Sequence, residues 1–278
     1  MQKRRKKKME YQVDHDYHIH SKLSSCSSDP EQTPARLLAY AQEQGLKEIC
    51  VTDHFWDEKV QPCLSGWYAV QDYAHIRQSL LLPQAEGVRF AFGCETEFSG
   101  DLRLGISRER MEELDFVIVP TTHLHMTEII PASADAAARA KAWETRLEAL
   151  LSMDLPFHKI GIAHLACPLI MRGTPLNEVL DLIPDDVYHR LFAKAAKLGA
   201  GIELNASDVK TAGRTPAHIA AVERLFRTAR EEGCRFYLGS DAHHPASLDA
   251  APALFRAFVS KLGLTEENKF HPFARADA

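Results

Sequence analysis

The stretch Tyr17-His18-Ile19-His20 constrains this chain more than any other. Alternate residues of a β-strand point to one side, so His18 and His20 present two imidazoles on one face of one strand, spaced for a single metal ion. A surface strand that happens to carry two histidines reads the same way. Company further along separates the two readings. Asp53-His54, Glu95, His123, His164 and Asp241-Ala242-His243 each follow a short apolar run, and all are residue types that bind divalent metals at neutral pH.

Strand and helix signals alternate along the chain, which predicts a parallel sheet wrapped by helices. Strands are predicted at about 16–20, 48–52, 88–92, 116–119, 159–163, 201–204 and 235–238, the sixth ending at Asn205 with Glu203 facing the same way. The first helix is the clearest. Thr33 is a good N-cap, Pro34 suits the first helical position, Leu37, Leu38 and Ala41 give the apolar face, and Gly45 stops it. Further helices are predicted over about 72–85, 133–152, 176–182, 185–198, 216–232 and 247–262. Residues 55–70 carry turn formers and exposed-looking aromatics without a clear period, and read as a loop at the mouth of a site, a lid. The fold class is therefore α/β, with seven strand-plus-helix units and the candidate ligands at the carboxyl ends of the strands. In a parallel barrel those ends open on one face, so distant residues converge.

The 278 residues show no internal repeat and no linker, so residues 11–278 read as a single barrel domain behind a basic tail over 1–10. Its run MQKRRKKK is read as solvated rather than as a tether to nucleic acid or membrane. A net charge of −5 gives no general reason to expect either partner. No apolar stretch approaches the roughly 20 residues that span a bilayer, and no signal-peptide pattern follows the basic start, so the expected location is cytoplasmic. The six cysteines are scattered, with no CxxC pair, and Cys50, Cys94 and Cys234 read as small core residues.

Counted as ligands, His18, His20, His54, His123, His164 and His243 with Asp53, Glu95 and Asp241 are too many for one ion. Two or three divalent metals sharing a bridging carboxylate is the economical reading, with zinc expected and iron or manganese as alternatives. Such a cluster suits phosphate ester hydrolysis: it makes hydroxide available at neutral pH, orients it for in-line attack and neutralises charge on the transferring phosphoryl group. Asp53, His54, Glu95 and Asp241 are the expected catalytic residues. Arg172, Lys210 and Arg214 follow the fifth and sixth strands and either grip phosphate or lie on the surface. The expected partner is a small phosphorylated substrate, with neither membrane nor nucleic acid, and nothing sets an oligomeric state. His15, His75, His158, His189, His218 and His271 are read as solvated or hydrogen-bonded without a role, while His125 and His244 lie close to candidate ligands.

The ordered set HxH, TDH, GxE, a lone histidine after a strand, another, and SDAH resembles the PHP family, named for its polymerase and histidinol phosphatase members, over about 11–262. The resemblance implies a distorted seven-stranded (β/α)7 barrel with a trinuclear metal site at its mouth. It assigns His18, His20, Glu95 and Asp241 to one metal. Glu95 would bridge to a second, held by His123 and His164, while His54 and His243 would hold the third. Family members with a full third site commonly carry a histidine in the first loop, where this chain has Cys26, so a thiolate ligand is expected there. Size points to the histidinol-phosphatase branch, hence to hydrolysis of a phosphate monoester, with histidinol phosphate as candidate, by a metal-bridging hydroxide. The alternatives are a nuclease or nucleotide phosphoesterase with the same metals, and a non-catalytic metal-stabilised binding module.

Overall fold

The computed structural model describes residues 9–170 and 173–273, so the basic run Met1 to Lys8 and the expected phosphate ligand Arg172 lie outside the described residues. Eight strand segments run β1 (His15–Ile19), β2 (Glu48–Val51), β3 (His54–Phe55), β4 (Arg89–Thr96), β5 (Phe116–Pro120), β6 (Ile160–Ala163), β7 (Gly201–Asn205) and β8 (Arg235–Gly239). β2 and β3 pair with β4 in one register, Glu48 opposite Arg89 and His54 opposite Glu95, so they are two pieces of a single strand broken at Thr52-Asp53. The result is seven parallel strands, with helices around them, in the order β1-β2-β4-β5-β6-β7-β8. The predicted barrel is there, nearly closed.

The seam between β8 and β1 is where the ladder fails. Buried backbone donors need partners, and here side chains supply them: His15 Nε2 accepts the Leu238 N–H at 3.1 Å and Asp16 Oδ1 accepts that of Ser240 at 2.9 Å. Only at the mouth does backbone pairing resume, with Ile19 bridging to Ala242. His15 is thus a buried seam residue, which corrects the sequence reading that gave it no role. Its donor Nδ1 faces Asp14 at 3.1 Å, leaving Nε2 as the acceptor.

β1 also carries an irregularity that sets up the site. Three steps from Asp16 to Ile19 match two on β2, from Ile49 to Val51, so one extra residue is accommodated and side chains beyond it are re-aimed. Tyr17 therefore joins the interior cluster with Phe116 and Tyr237, Ile19 packs outward in the core beneath the helices, and His18 and His20 face the mouth. Phe270 and Phe273, from the segment after the last helix, enter the same interior cluster. A Cβ on Gly161 would sit 2.5 Å from Phe116 and 2.6 Å from Tyr237, so only glycine lets these rings fill the barrel.

The cap signals read from the sequence are realised: Thr33 accepts from the Arg36 N–H, and Gly45 turns left-handed at φ 69°. Two expectations fail. The helix predicted over 72–85 is a single turn, Tyr73–Ile76, followed by a 3₁₀ turn, Arg77–Leu80; Leu80 and Leu81 face solvent, so no apolar stripe exists, and Pro83 disfavours helix at Leu82. In 55–70, Phe55, Trp56 and Tyr68 are buried, and of the aromatics only Trp67 is exposed. Among the described residues no helix is long and apolar enough to cross a membrane.

His15→Ala should cost about 1–3 kcal/mol, because it leaves the buried Leu238 N–H without an acceptor, whereas His158→Ala, at an exposed position, should stay within about 0.5 kcal/mol. Denaturant unfolding of the two variants checks this; equal stability would remove His15 from the seam.

Candidate metal centre

Glu95 is the midpoint of the mouth. It lies near the end of the long strand β4, 1% exposed, and its two oxygens face different histidines. Oε2 is 3.5 Å from His18 Nε2, 3.4 Å from His20 Nε2 and 3.0 Å from His54 Nδ1. Oε1 is 3.0 Å from His164 Nε2 and 4.0 Å from His123 Nε2. His18 Nε2 and His20 Nε2 are themselves 3.1 Å apart, and Asp241 Oδ1 adjoins that edge at 3.5 and 3.2 Å. Donor atoms on a tetrahedral shell of zinc-ligand radius are about 3.3–3.4 Å apart. The His18, His20 and Glu95 atoms have the spacing of one face of such a shell.

The hydrogen bonds behind these rings decide which nitrogen faces inward. The hydroxyl of Ser24 donates to Asp53 at 2.9 Å and accepts the His54 N–H at 3.1 Å, so toward His20 Nδ1, at 2.8 Å, it has only a lone pair left. His20 must carry its proton on Nδ1. Thr122 Oγ1 likewise donates to the His164 carbonyl at 3.0 Å and so accepts from His164 Nδ1 at 3.1 Å. His18 Nδ1 faces Glu203 at 2.7 Å and His123 Nδ1 faces Glu97 at 2.6 Å, both carboxylate acceptors. All four imidazoles therefore turn a bare Nε2 toward the centre, the arrangement of metal-bound histidine.

Electrostatics agree with a site built for cations. Burial alone would raise Glu95 and Asp241, but His54 and His18 around the first, and His18 and His20 around the second, hold both carboxyls well below their usual range. Burial would lower His18 and His164, yet Glu203 and Asp241 push the first well up and Glu95 takes the second to about 9. His243 goes the other way, down to about 3, through burial and the neighbouring His20. His54 Nδ1, although 3.0 Å from Glu95, is out of line for a hydrogen bond and is a buried polar atom without one. A divalent ion would satisfy that atom and separate the facing His18 and His20 lone pairs, so the residues fit the group.

Three donor groups result, each with its atoms within 4.8 Å of one another: His18, His20 and Glu95; Glu95, His123 and His164; and His20, His54 and His243. At the mouth His164, in the second group, and Asp241, which adjoins the first, are held in the left-handed region at φ 32° and φ 51°. Such conformations are strained for side chains other than glycine and need fixing from outside. Glu203 accepts the His164 N–H at 2.7 Å, and the Asp241 N–H donates to the His18 carbonyl at 2.7 Å.

Residues 16–207 match the family described as PHP domain. The chain belongs to the PHP family. Ser240 to His243 lie past the matched span, yet the seam returns them to β1 beside His18 and His20. Among solved structures the chain is similar to the histidinol phosphate phosphatase of Lactococcus lactis complexed with zinc, L-histidinol and phosphate, at a TM-score of 0.62 and 17% identity, over 93% of this chain and 98% of that one. At this identity the likeness is one of fold. N-isopropylammelide isopropylaminohydrolase from Burkholderia multivorans overlaps at a TM-score of 0.42 and 13% identity, over 94% of this chain and 69% of that one, and carries no argument. No curated protein sequence matches.

Some of the expected site residues lie outside the donor groups. Asp53 does not face the donor groups: it accepts from the Ser21 N–H at 2.7 Å, the Ser21 hydroxyl at 2.8 Å and Ser24, and so ties the first loop to the barrel. Cys26 is exposed on the cleft wall and belongs to none of the three groups; beside His54 and His243 stands His20. Lys210 is exposed and Arg214 partly so, and neither lines the cleft, because the chain after β7 turns away through Ala206–Val209. His125 does line it, while His244 caps the last helix and pairs with Asp29 at 2.8 Å. The sequence reading missed Glu97, Ser24 and Thr122. Glu97 had a signal, since it follows Glu95 by two residues where an extended chain puts both side chains on one face.

Because imidazole binds a metal only when neutral, zinc uptake at pH 7 should release protons, and affinity should rise with pH through the deprotonation of His164 near 9. Zinc titration in weak buffer reads both, and uptake without proton release would contradict the assignment. The geometry also predicts that Cys26→Ser keeps the full metal content; loss in Cys26→Ser with retention in Cys26→His would put the thiolate back among the ligands.

Proposed function

We propose that this PHP protein hydrolyses a phosphate monoester at a centre of two or three divalent metals held by His18, His20, His54, Glu95, His123, His164, Asp241 and His243. One observation carries the reading: the Glu95 carboxylate spans two donor groups, one on each oxygen. Ions held by these two groups would supply an activated water and neutralise the transferring phosphoryl charge. Zinc is the expected metal, in keeping with the His-rich donor set.

The chain's own residues do the positioning. Glu203, Glu97, Ser24 and Thr122 hold four imidazoles in one tautomer, Asp53 anchors the first loop, and Glu95 and Asp241 keep negative charge beside them. The cleft above is about 410 Å³, the size of a small-molecule pocket. No lysine or arginine among the described residues lines it, which disfavours the nuclease reading, since nucleic acid binding leans on cationic contacts to phosphates. Histidinol phosphate is the reference substrate, on the strength of the fold neighbour that holds L-histidinol and phosphate.

Metal-analysed protein assayed against monoesters, diesters and oligonucleotides should turn over monoesters. Glu95→Gln should lower kcat by more than about a hundredfold with the fold retained, because an amide cannot carry the bridging charge. Near wild-type turnover in that variant, or cleavage of diesters alone, would overturn the proposal.

A further inference from the structure

The cleft has a second side that the chemistry above leaves unused. Beside the donor groups the cleft is lined by Trp67, Tyr68, Met126 and Leu169. Trp67 is 40% exposed and Leu169 39%, while the other two tryptophans, Trp56 and Trp143, are buried. Leaving an indole open to water is unfavourable, and a large apolar side chain at the rim of a cleft marks where a ligand covers it.

This wall is tied into the site. The Trp67 ring meets His54 edge-on, with centroids 5.1 Å apart, and packs on Tyr68 at 4.7 Å. Tyr68 donates its hydroxyl to Glu97 at 2.9 Å, the carboxylate that also orients His123. Gln71, fully buried, donates to the Trp67 carbonyl at 3.2 Å and accepts the Ser25 N–H at 2.9 Å, joining the wall to the first loop. The indole thus has a set place next to the reacting centre.

The charge pattern narrows what fits. The carboxylates lining the cleft are Glu95 and Asp241, and both are engaged by imidazoles. Among the described residues none remains to meet an ammonium group, and neither Met171 nor Arg172, next in sequence to the Leu169 turn, carries one. A cation on the leaving group would meet no free carboxylate there, only the Trp67 ring, a weaker attraction than a charge-assisted hydrogen bond to a carboxylate.

We propose that the leaving group this site takes is a flat, apolar, uncharged alcohol, an aryl or arylalkyl group seated between Trp67 and Leu169. The inference rests on the phosphatase reading and adds the substrate class to it. In the reaction a water oxygen bonds to phosphorus, the bond from phosphorus to the alcohol oxygen breaks, and a water proton ends on that oxygen, giving alcohol and inorganic phosphate. Histidinol phosphate, with its ammonium group, is then a poorer substrate than a neutral arylalkyl phosphate.

The test compares 3-phenylpropyl with 3-aminopropyl compounds on the metal-loaded protein, as phosphates for turnover and as non-hydrolysable phosphonates for binding. The phenyl compounds should bind at least about tenfold tighter and show kcat/KM higher by a similar factor. Trp67→Ala should remove most of that advantage through KM, and Trp67→Phe should restore much of it. Equal or better handling of the aminopropyl compounds, or an advantage untouched by Trp67→Ala, would overturn the inference while leaving phosphatase activity standing. Selective binding with no turnover of any ester would sink the phosphatase reading, and the assignment of this wall to a leaving group with it.

Discussion

Everything at the mouth follows from burying carboxylates. Glu95, Glu97 and Glu203 are each at most 1% exposed inside the barrel, where an unpaired charge is too costly to keep. Each is compensated by a ring nitrogen: Glu203 by His18, Glu97 by His123, and Glu95 by the cluster as a whole. The outer two spend their charge on Nδ1 protons, which leaves Glu95 facing bare nitrogens. Charge balance then requires either protons on those nitrogens or cations between them. The raised His18 and His164 are the metal-free answer.

The barrel's distortion serves the same end. A regular β1 would send Tyr17 and His18 to opposite faces; the extra residue lets one fill the interior and the other reach Glu203. Gly239 completes the fit, since a Cβ there would lie 1.9 Å from Glu203 Oε1 and 2.7 Å from His18 Cβ. The side-chain seam covers Leu238 and Ser240, and just beyond it the Asp241 N–H returns to the His18 carbonyl from a left-handed turn. His164, at the end of β6, carries the same left-handed conformation and is held there by Glu203.

Much of this was legible because the ligands follow apolar runs in chain order, a pattern that survives ignorance of packing. His18, His20, Glu95, His123, His164, Asp241 and His243 converge as their spacing suggested. What escaped depends on contacts distant in sequence. Nothing local says that Asp53 turns to Ser21 and Ser24, that His15 accepts from Leu238, or that Phe270 and Phe273 enter the barrel. The wrongly predicted helix at 72–85 and the misread aromatics of 55–70 share a cause: composition reports which residues are apolar but not which are covered.

The two aromatic rings that arrive after the last helix have a consequence for how the chain is made. Strands emerge from the ribosome in order, and the parallel pairs from β2 to β7 can assemble as they appear. β1 cannot. One of its edges waits for β8, and the interior around Tyr17 waits for Phe270 and Phe273. Until residue 273 is free the interior on that side stays unfilled, and the donor group that includes His243 is the last of the three to be completed.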